Sequence, residues 1–178
     1  MHHLLLLAVL SACGHQPEPV ALIDADLAAK RVELLGYLAE YTERGVFPTD
    51  ERGLPLSVFE DSHGVRCPMA ELIYRSGHPE LVAAIVAEDN HARLGEIHEG
   101  AVHDWMLGSG LTHDEIVMIQ GELVMPRTFE KVDVHLTNGQ RERVRGRLEA
   151  AQHALRKDES DSLKAATVKV TRPVIAKH

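Results

Sequence analysis

The sequence has 178 residues, enough for one domain with short appendages. Hydrophobic residues make up 44% and charged residues 26%, so the chain can bury a globular core instead of staying disordered. Aromatic residues are only 4% and the formal net charge is −8; few stacking surfaces on an acidic body argue against nucleic acid as a partner.

The first element is an apolar run, Leu4 to Leu10, opened by His2 and His3. A helix needs about 20 residues to span a bilayer, so this run is too short to cross one, and it fits the core of an export signal. Leu10-Ser11-Ala12-Cys13 follows. It resembles the lipobox of bacterial lipoproteins: a Leu, two small residues and a Cys. The resemblance implies a diacylglycerol thioether on Cys13, cleavage before it, and acylation of the new amino terminus. Two or more acyl chains anchor stably where one holds only marginally. The opening residues depart from the family in carrying no Lys or Arg. Gly14 resembles the outer-membrane class of the family, so the expected address is the cell envelope, lipid-anchored, at the outer membrane. Residues 1–12 thus read as the signal peptide and 13–21 as the lipidated Cys with its tether, broken by Pro17 and Pro19.

Residues 22–156 read as a helical domain. Asp24 or Asp26 can cap a first helix, and Leu27, Arg31, Leu34, Leu38 and Tyr41 recur at helical spacing until Arg44-Gly45. Residues 46–66 hold Pro48, Gly53, Pro55 and Asp61-Ser62-His63-Gly64, which is turn chemistry, with Val58 and Phe59 aimed at the core. Pro68 suits the first turn of a helix that stops at Ser76-Gly77, and Pro79 restarts another. A short helix holds Val102, Trp105 and Met106 and stops at Gly108-Ser109-Gly110. Thr112 and Glu115 form a capping box for the next. Ser76-Gly77 and Ser109-Gly110 lie 33 residues apart in similar surroundings, an echo that predicts two helical hairpins. Val132, Val134 and Leu136 alternate ahead of Asn138-Gly139, which predicts a strand and turn; Val168 and Val170 predict a late strand to pair with it. Between them Val144, Leu148, Ala151 and Leu155 mark a helix. Residues 157–178 read as a polar linker and a basic tail. The tail carries Lys164, Lys169, Arg172 and Lys177 without an acid, a local +4 that leaves −12 for the rest. The expected fold class is therefore mainly α: a small multi-helix domain of helical hairpins with a minor β element near the C-terminus.

The candidate chemistry centres on cysteine and histidine. Only Cys13 and Cys67 exist. If lipid takes Cys13, Cys67 has no intramolecular partner. It is then a buried inert thiol, or it pairs with another chain, binds a metal or acts as a redox thiol. Its place before Pro68, at a helix start, would lower its pKa. There are twelve histidines. His63 and Cys67 have a spacing that could chelate Zn or Cu, with Asp61, His78, His98 and His103 as further candidates. His98 and His103 are five apart and so do not share one face of an ideal helix. The plain alternative is that these are surface and capping histidines. The sequence has no P-loop, no dinucleotide-binding glycine pattern and no nucleophile elbow.

The pattern Phe59-x-Asp61-x-x-Gly64-x-x-Cys67, then Leu72-Ile73, Ser76-Gly77, Leu81-Val82, Trp105, Ser109-Gly110-Leu111-Thr112 and Ile119-Gln120, is similar to an uncharacterised group of secreted bacterial proteins. The similarity covers residues 47–120 and implies no activity. With no complete catalytic set, the expected function is a lipid-anchored envelope protein acting as an interaction or structural module. Its partners would be the membrane and an envelope protein, without a cofactor; a metal- or thiol-dependent periplasmic protein is the alternative.

Overall fold

The computed structural model describes residues 19–121 and 134–171, and nearly all regular structure in them is helical. The order is α1 (Pro19–Arg44), α2 (Pro68–Arg75), α3 (Pro79–Asp89), a single 3-10 turn (Leu94–Glu96), α4 (Gly100–Leu107), α5 (His113–Gln120), α6 (Val134–Lys157) and α7 (Glu159–Thr171).

Helix α1 is the spine. Its buried stripe is the one read from the sequence: Leu27, Arg31, Leu34, Leu38 and Tyr41 face inward, while Val32 on the far side is 63% exposed. The stripe packs against α2, α6 and α7. The helix closes at Gly45, whose amide donates to the Tyr41 carbonyl and whose φ of +63° suits a residue without Cβ. It begins at Pro19, earlier than a cap at Asp24 or Asp26 would place it.

Residues 46–67 fold into two successive tight hairpins. Thr49 pairs with Pro55 in the first and Glu60 with Arg66 in the second. Each turn is organised by an aspartate. Asp50 accepts from the amides of Arg52 and Leu54, and Asp61 from those of His63 and Val65. The sequence repeats accordingly, as Asp-x-x-Gly-Leu and Asp-x-x-Gly-Val, with Gly53 and Gly64 both at positive φ. Asp61 also accepts from Thr49 N, which ties the second turn to the first.

Helix α2 is sunk into the core, with Pro68 through Ile73 all buried, and it packs on α3 and α5. The Ser-Gly echo is geometrical as well as textual. Ser76 Oγ donates to the Ile73 carbonyl and Ser109 Oγ to the Met106 carbonyl, three residues back in each case. The two turns differ in outcome: α2 and α3 pack on each other, whereas α5 packs on the 3-10 turn, α2 and α6. Gly110, at φ +75°, lies so close to α1 that a Cβ there would strike the backbone carbonyl of Leu27.

The C-terminal region departs from the β expectation. Val134 and Leu136 lie in α6, and Val168 and Val170 in α7; Val132 falls outside the described residues. The physical reason is that the period-2 runs are short and local, while the burial that decides the matter is helical. Leu148, Ala151 and Leu155 sink one face of α6 into the core, and Ala166 and Thr167 are buried on α7, which packs on α1. Residues 157–162, read as a linker, hold a one-residue break at Asp158 between the two helices. The part of the basic tail up to Thr171 is helical, and Arg172 and Lys177 lie outside the described residues.

Candidate functional site

The two hairpins, the start of α2 and the inner faces of α1, α5 and α6 enclose a cavity of about 260 Å³. Its apolar wall includes Phe47, Leu56, Val58 and Phe59, and Cys67 opens onto it. Among the described residues no Asp or Glu lines it. Most of its polar groups are already engaged. Asn90 Nδ2 donates to the Glu60 carbonyl and its Oδ1 accepts from Glu60 N. Gln120 accepts from Leu94 N and donates to the Ala92 carbonyl. Tyr41 OH donates to the Arg66 carbonyl at 2.8 Å.

Two cations remain, Arg93 and Arg147, both lining the cavity. They converge on the C-terminal end of α5. Arg93 donates to the Gly121 carbonyl, and Arg147 Nη1 lies 3.3 Å from the Met118 carbonyl and 3.4 Å from that of Ile119. Such contacts are favourable at the negative end of a helix dipole. Each arginine nevertheless spends only one of its nitrogens this way, and among the described residues neither forms an ion pair with a carboxylate. Burial pulls Arg147 below the ordinary arginine value, and the Arg93 charge adds to that.

Cys67 is a free thiol, buried, and caps α2 by accepting from Ala70 N at 3.4 Å. Its place at a helix start does not make it a thiolate. Burial dominates and pushes the thiol up to about 11, against the smaller opposing effect of the amides of Ala70 and Met69. His63 stands elsewhere: it is exposed at the tip of the second hairpin, 3.4 Å from Ser62 Oγ, while Cys67 sits at the base, its amide donating to the Phe59 carbonyl. The structure does not bring the two side chains to the same cavity. Asp61 is 9% exposed and satisfied by three backbone amides. Burial alone would raise its carboxyl, but those amides and the nearby His63 hold it below the usual aspartate range.

The other candidate histidines, His78, His98 and His103, fall in two other hollows. His78, 3.3 Å from Glu80, lines a cavity of about 470 Å³ beside Trp105, whose indole N–H donates to Ser76 Oγ. His98 lies before α4 and His103 within it, yet both line a cavity of about 340 Å³ with His113 and Lys169. The rings of His98 and His113 stack at 6.2 Å, and His113 Nε2 lies 3.1 Å from the Gly95 carbonyl. Among the described residues no group of three or more His, Cys, Asp or Glu is arranged to hold a metal ion.

The strongest polar cluster was only half visible in the sequence. Arg31 is fully buried and pairs with both carboxylate oxygens of Glu115, at 2.8 and 2.7 Å. It also donates to the carbonyls of Gly110 and Leu155. Glu115 accepts in addition from Thr112 N and Ser162 Oγ, completing the capping box and tying α7 to α5. Burial would raise the Glu115 carboxyl, but Arg31 and these donors hold it below the glutamate norm. The cluster joins α1, α5, α6 and α7 and has no donor left over toward a ligand except Arg31 Nε, which is itself buried. Its signal in the sequence was an arginine in an apolar stripe and a glutamate in a capping box, read separately.

No protein-family model matches this chain, and neither the curated proteins nor the solved structures contain a significant match.

Proposed function

We propose that this is a lipid-anchored protein of the bacterial cell envelope, held at the outer membrane through Cys13 and presenting its helical body as an interaction module. The observation that carries the reading is Leu10-Ser11-Ala12-Cys13 behind a short apolar run. Two features of the folded part agree with it. Cys67 is enclosed and engaged as a helix cap, so Cys13 is the cysteine left for modification. Helix α1 begins at Pro19, and residues 14–18 can span at most about 20 Å, so the body would ride close to the bilayer. Among the described residues no helix is long and apolar enough to cross a membrane; the proposed attachment is the acyl chains.

Intact-mass analysis of the protein extracted from envelopes tests this. The expected species starts at Cys13 and carries a diacylglycerol thioether. Globomycin should accumulate the longer precursor, and Cys13→Ala should abolish the lipid mass. An unmodified Cys13 thiol, or a chain that keeps residues 1–12, would overturn the reading.

A further inference from the structure

The cavity beside Cys67 combines features that the anchoring proposal does not use. It is concave and mostly apolar, the rings of Tyr41, Phe47 and Phe59 line it, and among the described residues its charged liners are two arginines. Two like charges converging on Gly121 repel each other, and taking them partly out of water makes that repulsion stronger. Proteins seldom leave such a pair without an anion. The α5 carbonyls relieve it in part, but they occupy one nitrogen of each guanidinium. The start of α2 also faces the cavity, yet its first free amides turn to Cys67, so the arginines are the donors left for a ligand.

We infer that this cavity is a binding site for a small organic carboxylate with a flat apolar body. Arg147 and Arg93 hold the carboxylate, and the body lies against Phe47 and Phe59. Planar guanidinium groups suit a carboxylate because two parallel N–H donors match its two oxygens. The apolar wall selects against small inorganic anions, which would forfeit all contact with it. At about 260 Å³ the cavity lies just below the range of about 300–1,000 Å³ usual for ligand pockets, which limits the occupant to something the size of a single substituted ring.

The test uses benzoate as probe on the full chain, with benzamide as the uncharged isostere and inorganic phosphate as the anion without a body. Binding is followed by titration calorimetry and by the rise in melting temperature, which grows with ligand concentration over Kd. Benzoate should bind saturably and benzamide on the order of tenfold or more weaker, the loss of one charge-assisted contact. Arg147→Met and Arg93→Met should each weaken benzoate by a similar factor. Because each substitution also removes a contact to the end of α5, the benzoate–benzamide comparison on the unaltered chain carries the test by itself. Equal binding of the two, phosphate competing as well as benzoate, or full benzoate affinity in the double arginine variant would each overturn the proposal.

Discussion

Arg31 and Arg147 are both arginines withdrawn from solvent beside the same helix, α5, and they have opposite surroundings. Arg31 is fully buried, with a carboxylate on its fork and two carbonyls besides. Arg147 is partly buried, touches two carbonyls with one nitrogen, and meets no carboxylate among the described residues. The contrast separates structure from recognition. A charge whose hydrogen bonds are satisfied inside the fold has nothing to offer a ligand, and its removal is felt as lost stability. A charge left partly unpaired at a cavity wall costs the fold something, and its removal should be felt first in binding.

The largest effect is expected at the paired end of that contrast. Arg31→Met leaves Glu115 buried without its cation and strands the Gly110 and Leu155 carbonyls. It should destabilise the protein by about 3–5 kcal/mol in urea unfolding, the usual penalty for breaking a buried pair. The double variant Arg31→Met with Glu115→Leu should be distinctly more stable than the sum of the two single losses, because neither partner is then left charged and alone. A loss under about 1 kcal/mol for Arg31→Met, within the range of surface pairs, would erase the distinction between the two arginines.

A smaller loss is expected at the second hairpin, where the charge is negative and the donors are backbone amides. Asp61→Ala orphans the amides of Thr49, His63 and Val65, and should cost about 1–3 kcal/mol. Asp50→Ala, at the matching position of the first hairpin, should cost less, since its turn lacks the bridge to its neighbour. The carboxyls of Asp61, Asp50 and Glu115 are all held below their ordinary values in the fold. Their stabilising contribution is therefore present above the unfolded values, about 4, and drains away as the pH falls through the lower folded values. Stability should fall as the pH drops below about 4 in the parent, and Asp61→Ala, already less stable at about pH 7, should lose less of its stability over that range because it no longer has this carboxyl to protonate. An equal loss of unfolding free energy between about pH 7 and 4 in both proteins would remove Asp61 from that set.

Much of the fold was legible because its signals are local. The stripe Leu27–Tyr41, the capping box at Thr112 and Glu115 and the Ser-Gly turns each depend on residues within a few turns of one another, and the structure holds all three. The helix marked by Val144, Leu148, Ala151 and Leu155 is the body of α6, but the start of α6 and the end of α7 were misread as strands because Val134 with Leu136, and Val168 with Val170, have strand-like alternation over too few residues to compete with distant burial. What settles α7 is its packing on α1 and the Ser162 bond to Glu115, 47 residues away. The candidate site was less legible still. Cys67, read first as a buried and inert thiol, is buried and caps α2, and Asp61, a further candidate, anchors a turn. The arginines of the cavity are 54 positions apart and meet only at Gly121, so no spacing could have announced them. The repeated Asp-x-x-Gly turn was readable in the sequence and was passed over as general loop chemistry.

The smallest expected effect sharpens the contrast most directly, because it concerns a cavity thiol whose anion would act on Arg147. Were Cys67 a thiolate, it would supply the missing anion, and the cavity would hold an internal ion pair in place of two spare cations. Burial pushes this thiol up to about 11, so near pH 7.5 roughly one molecule in a few thousand carries the charge. Native protein should therefore react with iodoacetamide at pH 7.5 far more slowly than protein in urea. Cys67→Ser should be nearly neutral, since a hydroxyl can still accept from Ala70 N, and Cys67→Ala should lose no more than about 1 kcal/mol of capping. Because the folded value lies above the unfolded one, the contribution of the neutral thiol is complete below the ordinary thiol value and fades as the pH rises toward about 11. Alkylation of the folded chain faster than in urea would mean that a thiolate stands in the cavity. The two arginines would then be no freer than Arg31, and the carboxylate site would lose its charge.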